Sequence, residues 1–170
     1  MRKLQILKTL VDLFWFFSII AIVFLIIFIP FMFFTNQVID IPIKINGGEI
    51  IVIDLSTKFL LLVAVISYFF FVYGIFELRK VLSLFQKRII FDAEVITLLD
   101  KTGKSFFLAS IISTIAVLAY SIINKPEVSI EFGGDFSSFL FTSSLGLFFM
   151  VLSEVFKIAK NMKEENELTI

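Results

Sequence analysis

Few side chains in this sequence are equipped for chemistry, and the missing types exclude whole classes of it. There is no cysteine and no histidine, which removes disulfides, thiol and imidazole catalysis and the common zinc-ligand sets. No pair of carboxylates is spaced for hydrolysis. Lys101-Thr102-Gly103-Lys104-Ser105 ends like a phosphate-binding loop, but it lacks the upstream glycine and precedes an apolar run. The chain reads as a non-enzyme that holds no cofactor and no metal.

The polar residues that remain fall into groups by position. Tyr68, Ser110, Ser113 and Thr114 lie inside long apolar runs. There a hydroxyl needs a partner on a neighbouring helix, so these four form a candidate polar cluster within the membrane, with Ser67 beside them. Packing is the expected role, and a polar ligand cavity the sharper alternative. Asp12, Glu77 and Glu154 stand at the ends of such runs, where carboxylates anchor a helix at the water boundary; Glu77 and Glu154 occupy comparable positions. Arg79, Lys80, Lys87 and Arg88, together with Glu165, Leu168, Thr169 and Ile170, make a candidate cytosolic interaction surface. Six acidic residues (Asp40, Glu49, Asp54, Glu127, Glu131, Asp135) lie in the other connections and are expected to form a solvated rim, since no metal-loop spacing appears.

The elements that must position these residues follow from composition. Of 170 residues, 59% are apolar, only 18% are charged and 24 are phenylalanine; the mean hydropathy is +1.02. A soluble domain this small could not bury so much apolar surface. Four runs reach membrane length, about 13–34, 59–76, 105–123 and 136–156. The first is longer than a signal-peptide core and reads as an uncleaved span. No linker separates the runs, so residues 1–170 read as one integral membrane domain.

Formal charge is zero, yet twelve of the fifteen lysines and arginines fall in the N-terminus, the connection between spans two and three, and the C-terminal tail. The positive-inside rule then places both termini in the cytosol. The outer connections alternate apolar and polar residues. They predict a small extracytoplasmic β cap, made of a hairpin from about 38–56 and a strand from about 127–132. Pro30 is expected to kink or end span one. Span two is expected to continue as an amphipathic segment through Leu78, Val81, Leu82 and Phe85. Asp92 reads as the N-cap of a short helix over Ala93–Leu99 that lies along the headgroups and feeds through Gly103 into span three. The fold class is an all-α transmembrane four-helix bundle.

The ending Lys163-Glu164-Glu165-Asn166-Glu167-Leu168-Thr169-Ile170, directly after a fourth span, resembles that of the bacterial membrane proteins of domain of unknown function family 2975. So does Phe91-Asp92-Ala93-Glu94 followed by Leu98, Leu99 and Gly103, although Val95 stands where asparagine is more usual. The resemblance covers most of the chain. It implies a four-helix bacterial inner-membrane protein without an assigned activity, and a partner in a cytosolic helix-turn-helix regulator of the kind often encoded beside such proteins. The expected function is therefore a non-catalytic sensor or regulatory membrane protein. The alternative is a small transporter, channel or immunity-type protein handling an apolar or cationic compound. The lipid bilayer is an expected partner; direct nucleic-acid binding is not expected, and a homo-oligomer is open but unsupported by the sequence.

The charge bias makes a direct prediction. Reporter fusions at Lys87 and Asn161 will read as cytosolic and a fusion at Gly47 as external; reversal of any of the three contradicts the orientation.

Overall fold

In lipid no water is present to satisfy peptide groups, so a chain this apolar must bond its backbone internally, and it does so as helices. The computed structural model describes residues 2–34, 44–45, 48–49, 55–124 and 134–168. They form α1 (Arg2–Phe34), β1 (Lys44–Ile45), β2 (Gly48–Glu49), α2 (Leu55–Gln86), α3 (Ala93–Asn124) and α4 (Gly134–Leu168). All four helices are long and apolar enough to cross a membrane. At 33, 32, 32 and 35 residues they measure about 48–53 Å, against about 30 Å of hydrocarbon. Each therefore continues well past the span expected from its apolar run.

The extra length lies mainly at one end. Asp12 of α1 meets Arg79 of α2, and the Phe85 and Phe156 rings of α2 and α4 stack 5.8 Å apart. The first turns of α1, the α2–α3 turn and the last turns of α4 thus share one end of the bundle. A buried apolar core is there too: Val81, Val95, Leu98 and Leu99, covered by Leu84, Phe85, Phe149, Leu152 and Phe156.

This core corrects one expectation. Residues 93–99 do not lie along a membrane surface; they are the first turns of α3, with Val95, Leu98 and Leu99 buried between α2 and α4. The physical reason is a stripe seven residues apart. Val95, Thr102, Ala109 and Ala116 are all buried on one face of α3, the spacing of coiled-coil packing. Asp92 does cap the helix, its carboxylate accepting the Glu94 N–H at 3.1 Å.

α3 is the central helix. In its most apolar window 39% of residues are buried, against 6% in α1. Three contacts draw its neighbours in to backbone distance. A β-carbon at Gly103 would stand 2.6 Å from the Gly146 carbonyl oxygen and 2.8 Å from the Met150 nitrogen. One at Gly146 would stand 2.8 Å from the Phe107 nitrogen, and one at Gly74 2.7 Å from the Phe106 ring. Serine hydroxyls tie the same interfaces. Ser67 donates to the Ala109 carbonyl at 2.7 Å, Ser110 and Ser143 share a hydrogen bond of 2.8 Å, and Ser153 donates to the Ile96 carbonyl at 2.7 Å.

Among the described residues α1 packs mainly on α2. A file of rings crosses the whole bundle, with centroids 6.3 Å apart from Phe14 to Phe71, 5.2 Å on to Phe106 and 5.9 Å on to Phe149. Helix α1 continues past Pro30 to Phe34.

Of the expected β cap, the described residues hold a two-residue antiparallel ladder, Lys44 opposite Glu49 and Ile45 opposite Gly48. That ladder falls within the expected hairpin, and by itself it does not make a cap. Leu55 and Ser56, expected in the hairpin, open α2 instead. Residues 38–43, 46–47, 50–54 and 127–132 lie outside the described residues.

The glycine contacts predict a steep size limit. Gly103→Val or Gly146→Val will destabilise the bundle by about 1–3 kcal/mol or more, measured as a lowered midpoint for loss of helix signal on titration with denaturing detergent. A matched Ser113→Val change on the exposed face of α3 will cost far less.

Candidate functional site

Most charged side chains gather at the end of the bundle that carries the α2–α3 turn, and the helices divide them into two sets. The first set lies where α1 crosses α2. Asp12 and Arg79 form an ion pair, each about one-third exposed. The Arg79 guanidinium also lies 4.2 Å from the centre of the Trp15 ring, and Trp15 stacks on Phe76. Two residues earlier on α2, Glu77 is only 3% exposed. A carboxylate buried that deeply needs compensation. It receives it from Lys80, whose ammonium lies 3.1 and 3.4 Å from its two oxygens, and from the Tyr73 hydroxyl. Lys80 in turn sits 4.2 Å above the Phe76 ring. These residues clamp α1 to α2; their charges are directed at one another.

The second set lies at the α2–α3 turn. Arg88 accepts a left-handed backbone, with φ of 63°, a conformation that costs an L-residue roughly 1–2 kcal/mol. The Arg88 N–H bonds to the Phe85 carbonyl at 3.0 Å and the Ile89 N–H to the Leu84 carbonyl at 3.1 Å. This is the paired hydrogen-bond pattern that closes a helix, usually around glycine. The turn then exposes Ile89, Ile90 and Phe91 before Asp92 starts α3. An open depression of about 340 Å³ is lined by Arg88, Ile89, Ile90, Phe91, Asp92 and Lys163.

The structure therefore divides the candidate interaction surface. Arg79 and Lys80 are occupied within the fold, whereas Lys87 and Arg88 are exposed on the turn. Glu165 is exposed near the end of α4. Leu168 closes α4, and Thr169 and Ile170 lie outside the described residues. Glu77 and Glu154 do not act alike, the first being buried and the second exposed.

The polar cluster is dispersed in the same way. Ser110 is buried and bonded to Ser143 and to the Phe107 carbonyl. Thr114 donates to the Ser110 carbonyl within its own helix at 2.8 Å, Ser113 is exposed, and Tyr68 is half-buried. Among the described residues Tyr68 makes no hydrogen bond to those three, and no buried side-chain polar atom lacks a partner. Of the four, Ser110 joins α3 to α4, and Thr114 bonds within α3. Ser143 and Ser153 were not singled out by sequence position; the available signal was a small hydroxyl residue inside an apolar run. Among the described residues no cluster of carboxylates is arranged to hold a metal ion.

Trp15, the single tryptophan, reports on the clamp. Arg79→Ala removes the ion pair and the ring contact together, an effect on the order of 1 kcal/mol. Acrylamide will quench Trp15 fluorescence more strongly in this variant, while the helix content by circular dichroism stays unchanged; unaltered quenching would mean that α1 is held by other contacts.

No curated protein and no solved structure matches this chain. A family model does, over residues 6–170, which takes in all four helices. The chain belongs to the family described as "Protein of unknown function (DUF2975)".

Proposed function

We propose that the protein is a non-catalytic regulatory or sensory protein of a bacterial inner membrane, with both termini and the α2–α3 turn in the cytosol. A small β cap built from the outer connections would face the opposite side. Its cytosolic surface would bind a soluble regulator of the helix-turn-helix type, and the protein itself would not contact nucleic acid.

The observation that carries this reading is the last third of α4. Phe156 makes the final ring contacts with Phe85 and Phe91. Beyond it the helix continues from Lys157 to Leu168, about 18 Å at 1.5 Å per residue, and residues 161–167 are all exposed. Lys160 pairs with Glu164 and Lys163 with Glu167, each at 3.6 Å. Such spacing supports an isolated helix only weakly, and the projection presents a charged, solvent-facing surface. It is suited to lie against another protein.

The transport alternative is less favoured for a physical reason. Ser18, Ser67, Ser110, Ser143 and Ser153 direct their hydroxyls to a neighbouring helix or to their own carbonyls, so these five are not presented to a solute.

Deletion of Glu164–Ile170 tests the reading. Pull-down from the native host with the full chain will retain a small helix-turn-helix protein that the truncated chain loses, and expression of that regulator's target genes will change. An identical partner set and an identical expression response would remove the support.

A further inference from the structure

The α2–α3 turn, with Lys163 of α4 beside it, carries a feature that the docking of a soluble regulator does not require. Its depression places two cations, Arg88 and Lys163, around three consecutive apolar residues whose exposures are 38%, 41% and 45% for Ile89, Ile90 and Phe91. We propose that this depression binds the headgroup of an anionic phospholipid from the adjoining leaflet, with its phosphate between Arg88 and Lys163 and the turn's apolar residues among the glycerol and upper acyl groups.

Four observations support the assignment. The first is charge. Among the described residues Arg88 and its neighbour Lys87 are in no ion pair, unlike Arg79, Lys80 and Lys104, each held by a carboxylate. Lys163 has a loose contact with Glu167, at 3.6 Å, in which both side chains are more than half exposed. Asp92, the acidic residue of the lining, has one oxygen engaged by the Glu94 N–H at the start of α3, and the two cations outnumber it. The second is the residue at position 88. A helix-closing pattern of this kind favours glycine, yet it holds an arginine in the left-handed region, which presents a guanidinium at the mouth of the depression.

The third is depth. The turn follows α2, which crosses the membrane, and α4 reaches Lys163 two turns beyond Phe156. Both cations therefore lie past the apolar runs of their spans, on the end of the bundle where the charged residues gather, and the guanidinium can take two phosphate oxygens. The fourth is the pairing of apolar and basic groups itself. Three exposed apolar side chains are costly to a turn that faces water, and they become favourable where the turn meets lipid. A soluble anionic peptide would satisfy the cations alone. The proposal holds for either orientation of the chain and does not rest on the regulatory reading.

Native mass spectrometry of the full-length protein in detergent provides the test, with phosphatidylglycerol, phosphatidylcholine of the same acyl chains, and inorganic phosphate as separate additives. Phosphatidylglycerol will be retained in preference to phosphatidylcholine. Retention will fall about fivefold for Arg88→Gln and further for Arg88→Gln with Lys163→Gln. Arg88→Lys will keep most of the preference, and removal of two charges outside the depression, Lys101→Gln with Lys157→Gln, will leave it intact. Circular dichroism of each variant excludes unfolding as the cause.

A second measurement separates membrane from soluble partner. With Trp15→Phe and Phe91→Trp combined, fluorescence will be quenched by lipids brominated near the top of the acyl chain. Equal retention of the two lipids, a preference that survives the double substitution, equally strong capture of free phosphate, or an unquenched tryptophan at position 91 would each overturn the assignment.

Discussion

Everything in this bundle depends on how closely α3 lets its neighbours approach. At Gly103 and Gly146 the backbones of α3 and α4 are separated by less than a methyl group's width, and Gly74 brings α2 against the Phe106 ring in the same way. In lipid there is little hydrophobic gain from placing one apolar helix against another, because acyl chains are as apolar as leucine. Close contact, dispersion and hydrogen bonding must supply the association. The serine bonds Ser67 to Ala109, Ser110 to Ser143 and Ser153 to Ile96 all fall on these interfaces, and such short hydroxyls reach across only where the backbones are already near.

The same constraint explains the unequal standing of the four helices. α1 has neither glycine nor an interhelical serine bond among the described residues; its buried Ser18 bonds back to Phe14. It relies on aromatic contacts with α2 and on the Asp12–Arg79–Trp15 clamp. α2, α3 and α4 form the rigid part, and α1 is its most loosely attached companion. The apolar core around Val81, Val95, Leu98 and Leu99 works differently, because it sits toward the charged end. There, water is excluded from leucine and valine in the ordinary way, and each burial adds to stability.

The existence of four helices was legible, since uncharged runs of membrane length have few alternatives. Their extents were not. Glu77, Arg79 and Lys80 break the apolar run of α2, and Asp100, Lys101 and Lys104 interrupt α3. Hydropathy stops at such charges, whereas the helix does not. The stripe Val95, Thr102, Ala109, Ala116 was visible as a seven-residue spacing but mixes residue types that a hydrophobic scale treats as different. Asp92 was readable as a cap because its signal is local. The clamp was not, because Asp12 and Arg79 are 67 positions apart and nothing in linear spacing pairs them. For the same reason Arg79 and Lys80 looked available from the sequence, although the fold uses them internally.

The outcome is a membrane bundle whose interior chemistry is spent on holding helices together and whose unspent chemistry lies at one end, on the α2–α3 turn and the projecting part of α4. The most direct test of that account is the α3–α4 contact in the membrane. The chain has no cysteine, so Ser110→Cys with Ser143→Cys introduces a single pair at the site where the native oxygens lie 2.8 Å apart. Oxidation in native membranes should form an intramolecular disulfide rapidly and nearly completely. No bond, or one formed only between two chains, would contradict the central place of α3.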